Sequence, residues 1–377
     1  MRLHGIQVLR GAAALMVVLH HLRHELAALG LGAGALAQLP LWAGVDVFFA
    51  ISGFIIVHAS GPAYDGPGGR RRFLAHRVAR VVPLYWLVTL AYLAVALVLP
   101  RGLGDAGAAA GDPAYLAASF LFWPAARPDG SLQPLYGLGW TLNYEMLFYA
   151  LFALCLGRGR RAAVAWTGAA LAGLVLYGRL AEPAAAALRF WSDPIVLEFL
   201  FGAAVALIWE AGLRLAPPAR LALAAAGICG LALVGGGEVA GFARPLLAGL
   251  PAACLVAAFA LGDPRPAHKV WDPAWIGPLS RLGDASYALY LVHPFCLRAV
   301  REGVARAGLA APLGAWGVGA LMIALSVAAA VLTYRLVERP ATRALRARLD
   351  PAPDGAGRIP NLVRGRGTSV FRGPEPH

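Results

Sequence analysis

A chain of 377 residues that is 59% hydrophobic and only 14% charged, with a mean hydropathy of +0.64, is too apolar for a water-soluble globule and belongs in a membrane. Its apolar stretches are long and continuous rather than short and alternating, which excludes a transmembrane β-barrel. The 33 basic residues outnumber the 20 acidic ones, but they lie between apolar stretches and form no soluble patch, so the net charge of +13 does not mark a nucleic-acid partner.

A bilayer core about 30 Å thick takes roughly 20 helical residues per crossing. Windows of that kind fall at 8–28, 41–60, 81–100, 139–157, 162–178, 194–211, 219–236, 244–262, 285–300 and 313–336. They predict an all-α polytopic membrane protein with about ten transmembrane helices. The first window imitates a signal peptide, with Arg10 ahead of an apolar run and Ala33-Gly34-Ala35 as a cleavage-like site. Polar residues from His20 to Glu25 interrupt that run, so it reads as a retained first helix. With the N-terminus in the cytoplasm, the inner segments collect Arg2 and Arg10, then Arg70, Arg71, Arg72, Arg77 and Arg80, then Arg158, Arg160 and Arg161. They go on to collect Arg214, Arg220, Arg265, Lys269, Arg281 and a tail from Arg335. Positive charge on the inner side supports the ten-span count and places both termini in the cytoplasm.

Between the third and fourth windows, loop 101–138 is the longest connection, and Tyr115 to Trp123 within it is apolar but too short to cross. An interfacial or re-entrant helix is expected there, placed to roof a site on the outer face. Residues 341–377 are rich in Pro, Gly and Arg without periodicity, which predicts a disordered basic cytoplasmic tail after a transmembrane domain at 1–340. No appended soluble domain and no internal repeat of the transporter kind are read. Cys155, Cys229, Cys254 and Cys296 are scattered through apolar segments and read as small core residues.

Titratable groups at bilayer depth are expensive, so they are candidates for function. Arg10 and His21 are eleven residues apart, which puts them on one face of a helix roughly 16 Å apart along its axis. Taken singly, Arg10 is a topology anchor and His21 a core histidine. As a pair they span the length of a phosphorylated donor with an extended arm. Asp46, in Gly44-Val45-Asp46-Val47-Phe48-Phe49, is expected near the depth of His21, either orienting its imidazole or snorkelling to the surface. Ser52-Gly53 reads as a close helix contact. Glu145, in Trp140-Thr141-Leu142-Asn143-Tyr144-Glu145, is expected about 9 Å below the outer face, in the same layer as His21 and Asp46. Arg77 and Arg80 are spaced to clamp phosphate at a helix start. His293 is expected below the reaction layer, lining a donor channel.

These motifs resemble the type-3 membrane acyltransferases, which O-acylate polysaccharides, O-antigen, Nod factors and some antibiotics. The resemblance rests on Arg10 with ten residues before His21, the stretch 44–54, Arg77-x-x-Arg80-x-x-Pro83, Trp140-Thr141-Leu142-x-x-Glu145 and Ser286-Tyr287-x-Leu-Tyr290-Leu-x-His293. It implies His21 as the catalytic residue, with Glu145 in the catalytic cavity. It also implies a site for acetyl-CoA or another acyl-CoA at Arg10, Arg77 and Arg80, with Tyr287, Tyr290 and His293 along the donor's path. One departure is His76, where many relatives carry arginine. The implied activity moves an acyl group from cytoplasmic acyl-CoA to a hydroxyl of an exopolysaccharide or a lipid-linked sugar, in a bacterial inner membrane. A proton-coupled transporter and a non-catalytic component of an export complex are the competing readings.

Overall fold

Leucine, alanine and valine fill the apolar windows with little to interrupt them, and each of the ten windows coincides with a helix. The computed structural model describes residues 3–61, 66–98, 107, 109–262 and 276–349. In chain order the principal helices are α1 (His4–Ala28), α2 (Gly44–Ala59), α3 (Gly69–Val98), α4 (Pro113–Phe120), α5 (Trp140–Cys155), α6 (Arg160–Ala181) and α7 (Ala186–Trp191). They continue with α8 (Glu198–Glu210), α9 (Pro217–Val234), α10 (Leu250–Ala260), α11 (Ile276–Asp284), α12 (Ser286–Arg306), α13 (Ala310–Thr333) and α14 (Arg339–Leu349). Among the described residues there is no strand. The chain is a helical membrane protein, and among the described residues six helical stretches are long and apolar enough to cross a membrane: His4–Ala28, Leu41–Ala59, Gly69–Val98, Arg160–Ala181, Pro217–Val234 and Ala310–Leu349. The helices on the remaining windows are shorter or carry more charge.

The first helix is part of the bundle and contributes Ile6, Leu9, Ala13, Ala14, Val17, Val18, Leu22 and Leu26 to its core. Glycine lets its neighbours come close: a Cβ on Gly11 would meet Leu279 O at 2.7 Å, and one on Gly44 would meet Ala13 O at 2.7 Å. The expected contact at Ser52-Gly53 is present, since a Cβ on Gly53 would run into the backbone of Phe199 and one on Gly202 into that of Ala50. α2 and α8 therefore touch backbone to backbone. All four cysteines are free.

Two boundaries differ from expectation. α3 begins at Gly69, so Arg77 and Arg80 sit within a long helix rather than at its start. A π-helical turn, Tyr334–Glu338, links α13 to α14, and α14 packs on α3, so helix continues beyond the boundary at 340. Residues 350–377, Arg2, Arg265 and Lys269 lie outside the described residues. In the long loop, Asp112 caps α4 by accepting from the backbone N–H of Ala114 at 2.8 Å, with Pro113 in the first turn. Tyr85 and Trp86 of α3 hold this short helix by donating to the carbonyls of Ser119 and Phe120 at 3.0 and 2.8 Å.

Candidate active site

α1 lines two adjoining cavities in the bundle. One, of about 720 Å³, is bordered by Val17, His20, His21, Trp42, Trp140 and Arg244, together with Arg127, Gln133 and Tyr136 of the long loop. The long loop thus borders this cavity through residues beyond its short helix. The other, of about 260 Å³, is bordered by Arg10, Arg77, Arg80, Arg346, Ser52, Glu145 and Tyr149. Val45 and Tyr290 belong to both walls, so the two cavities meet there. Tyr290 is fixed at this junction by its hydroxyl, 3.0 Å from Thr141 Oγ1 and 3.1 Å from Leu138 O.

His21 and His293 form a dyad. His21 Nδ1 lies 2.9 Å from Val17 O and 3.3 Å from His293 Nε2, and His293 Nδ1 lies 3.0 Å from Leu289 O. Carbonyl oxygens only accept, so the network assigns the hydrogen to Nδ1 in both rings. His293 Nε2 is then a lone pair facing the Nδ1–H of His21. What remains is His21 Nε2, a lone pair with no hydrogen-bond partner among the described residues, on a ring that lines the larger cavity. His293 is fully buried and was expected deeper than His21. The correction follows from α11, whose Gly283 packs against Gln7 and Gly11 of α1 and so lifts the start of α12 along the first helix.

Asp46 does not reach His21. It is fully buried, and both its oxygens accept from Arg244, from Nε at 2.8 Å and from Nη2 at 3.1 Å. On α2 it projects about 100° away from Val45, the residue that faces the cavities. Glu145 also leaves the expected layer. Trp140 lines the histidine cavity, but Glu145 faces the arginine cavity, where its Oε1 accepts from Ser52 Oγ at 3.0 Å and from the Tyr149 hydroxyl. The three titratable groups expected together are thus divided among two cavities and a buried ion pair.

The arginine cavity gathers what the spacing of α1 and α3 foretold. Arg10 donates to Gln7 Oε1 at 3.4 Å, and Arg77 stacks 5.7 Å over the Phe73 ring with its buried Nε unpartnered. Glu338 lies within electrostatic range of Arg10 and Arg80. Tyr287 lines the same cavity and donates to Val81 O at 2.8 Å. A buried guanidinium nitrogen with no partner, among several cations, suits the phosphates of an acyl-CoA.

Two residues went unnoticed in the sequence. Arg346 reaches the arginine cavity from α14, and its signal is the helical spacing of Arg339, Arg343 and Arg346. Arg244 reaches the histidine cavity. It opens an apolar window at the end opposite to the one that carries most of the arginines.

The acyltransferase domain matches residues 3–335. The exopolysaccharide production protein ExoZ of Rhizobium meliloti is 35% identical over 318 residues, covering 81% of this chain and 91% of that protein. The acyltransferase MdmB of Streptomyces mycarofaciens is 28% identical over 366 residues, covering 85% and 86%. No solved structure matches. With the domain matched over nearly its whole helical part, the chain belongs to the type-3 acyltransferase family and is an acyltransferase.

Proposed function

We propose that the protein transfers an acyl group, acetyl in the first instance, from cytoplasmic acyl-CoA to a hydroxyl of a surface glycan, across a bundle that spans the bacterial inner membrane ten times. Positive charge on the inner segments sets the orientation, which turns the arginine cavity to the cytoplasm and the histidine cavity to the outside. The single observation that carries the reading is the free Nε2 lone pair of His21, in a cavity that adjoins the arginine cavity at Tyr290 and Val45.

Arg10, Arg77, Arg80 and Arg346 take the donor's phosphates, and the acyl arm passes Tyr287 and Tyr290 toward His21. His21 Nε2 accepts the proton of the acceptor hydroxyl as its oxygen attacks the thioester carbonyl. The tetrahedral intermediate expels the thiolate, and the imidazolium returns the proton to it. His293 holds the His21 ring in the tautomer that leaves Nε2 basic. The aromatic walls offered by Trp140, Tyr136 and Phe295 suit a sugar ring, and the ExoZ relative is named for exopolysaccharide production.

The test is NMR of surface polysaccharide from cells carrying wild-type or His21→Ala protein. Loss of the acetyl methyl signal with the protein still in the membrane is the expected result. Undiminished acetyl content in that variant would sink the reading.

A further inference from the structure

Arg244 is missing from every sequence motif, yet it is held on the wall of the histidine cavity by a buried carboxylate. Asp46 grips its Nε and Nη2 in a fork, and its guanidinium carbon lies 5.3 Å over the Trp42 ring. Trp42 is itself pinned, with its indole N–H donating to Gly235 O at 3.3 Å. Behind the fork, Glu198 is fully buried, and a Cβ on Gly249 would meet its Cγ at 2.8 Å, so no room is left on that side.

A planar guanidinium carries five N–H donors. The fork uses the one on Nε and one of the two on Nη2. Nη1 donates to no group among the described residues and is not among the buried unpartnered atoms, while the side chain is 14% exposed and lines the cavity. An ion pair buried at this depth is weak evidence for stability, because desolvation offsets the attraction. What it does supply is a rigid donor edge at a fixed place on the wall.

We infer that Arg244 is an acceptor-binding residue: held by Asp46, it presents its Nη1 edge to ring or hydroxyl oxygens of a pyranose whose apolar face lies on the aromatic wall. Asp46 is then a positioning residue for Arg244 and not for His21. This rests on the glycan-acylation reading above, and it adds the group that recognises the sugar. Among the described residues, no charged side chain lining the cavity hydrogen-bonds that edge. Glu25 is paired with Arg301 at 2.7 Å, Glu238 with His20 at 3.4 Å, and Arg127 donates to Tyr115, Gln133 and backbone carbonyls of its own loop.

The test uses the full-length protein in liposomes, with acetyl-CoA as donor and alkali-deacetylated surface polysaccharide of the producing strain as acceptor. Arg244→Gln should raise KM for the polysaccharide about 10- to 100-fold, the loss of charged hydrogen bonds, with KM for acetyl-CoA unchanged. Arg244→Lys keeps a charge for Asp46 but loses the second edge. It should move KM for the polysaccharide in the same direction, and it decides the matter if the glutamine variant fails to fold. Unchanged acceptor KM in a folded variant overturns the inference, as does an equal rise in both KM values. Wild-type protein that moves no acetyl from acetyl-CoA to the polysaccharide would instead overturn the underlying reading.

Discussion

The two cavities handle charge in opposite ways. Around His21, Asp46 is paired with Arg244 and Glu25 with Arg301, while Glu238, largely exposed, lies 3.4 Å from the His20 ring. Among the described residues no carboxylate hydrogen-bonds the His21 ring, and the side chain beside it is His293. Four arginines instead line the smaller cavity with a single carboxylate, Glu145, whose Oε1 accepts from two hydroxyls. The smaller cavity thus concentrates positive charge, whereas His21 faces the larger one with a ring nitrogen that no carboxylate bonds. Because the same helix carries Arg10 and His21, the two treatments are separated by a fixed length.

The sharpest way to break this division is at His21. His21→Gln should lower acyl transfer on the order of 10²–10⁴-fold with donor binding intact, read as turnover beside acetyl-CoA affinity. Loss of affinity with normal turnover would assign the ring to the wrong cavity. His293→Gln comes next. It should lower kcat roughly 100-fold through misorientation of His21 while leaving both KM values in place. A change confined to donor KM would return His293 to the donor channel.

On the other side, Arg10→Gln and Arg77→Gln should each raise KM for acetyl-CoA about 10- to 100-fold with kcat preserved. If acceptor KM rises instead, the two cavities are not divided by substrate. The smallest effect is expected at Glu145→Gln, which loses its charge but keeps an acceptor for Ser52 and Tyr149. A change of roughly 2- to 10-fold in donor KM, with the pH dependence of turnover unmoved, fits a place among the arginines. A shifted pH profile would put Glu145 back beside His21.

Much of this was legible in the sequence. Apolar windows found the helices, and Arg10 and His21, eleven residues apart on α1, each line one cavity. Depth was read less well, because it was counted from presumed membrane boundaries rather than from neighbours. Asp46 and Glu145 were both placed within two turns of one surface, yet the rotation of α2 and the descent of α5 send them to different partners. His293 was misplaced by the same counting, since α11 shifts the start of α12 along the first helix.

Composition and periodicity thus determined that the chain is a helical membrane protein and which side chains sit at unusual depth, because burial in lipid acts on each segment separately. Which of those side chains touch was decided by the tertiary structure alone. Glycine contacts set how far helices slide and turn against each other, and a rotation of 100° per residue is enough to hand a carboxylate from an imidazole to a guanidinium. The pairing of Asp46 with Arg244 joins residues far apart in the chain through packing that no local pattern encodes.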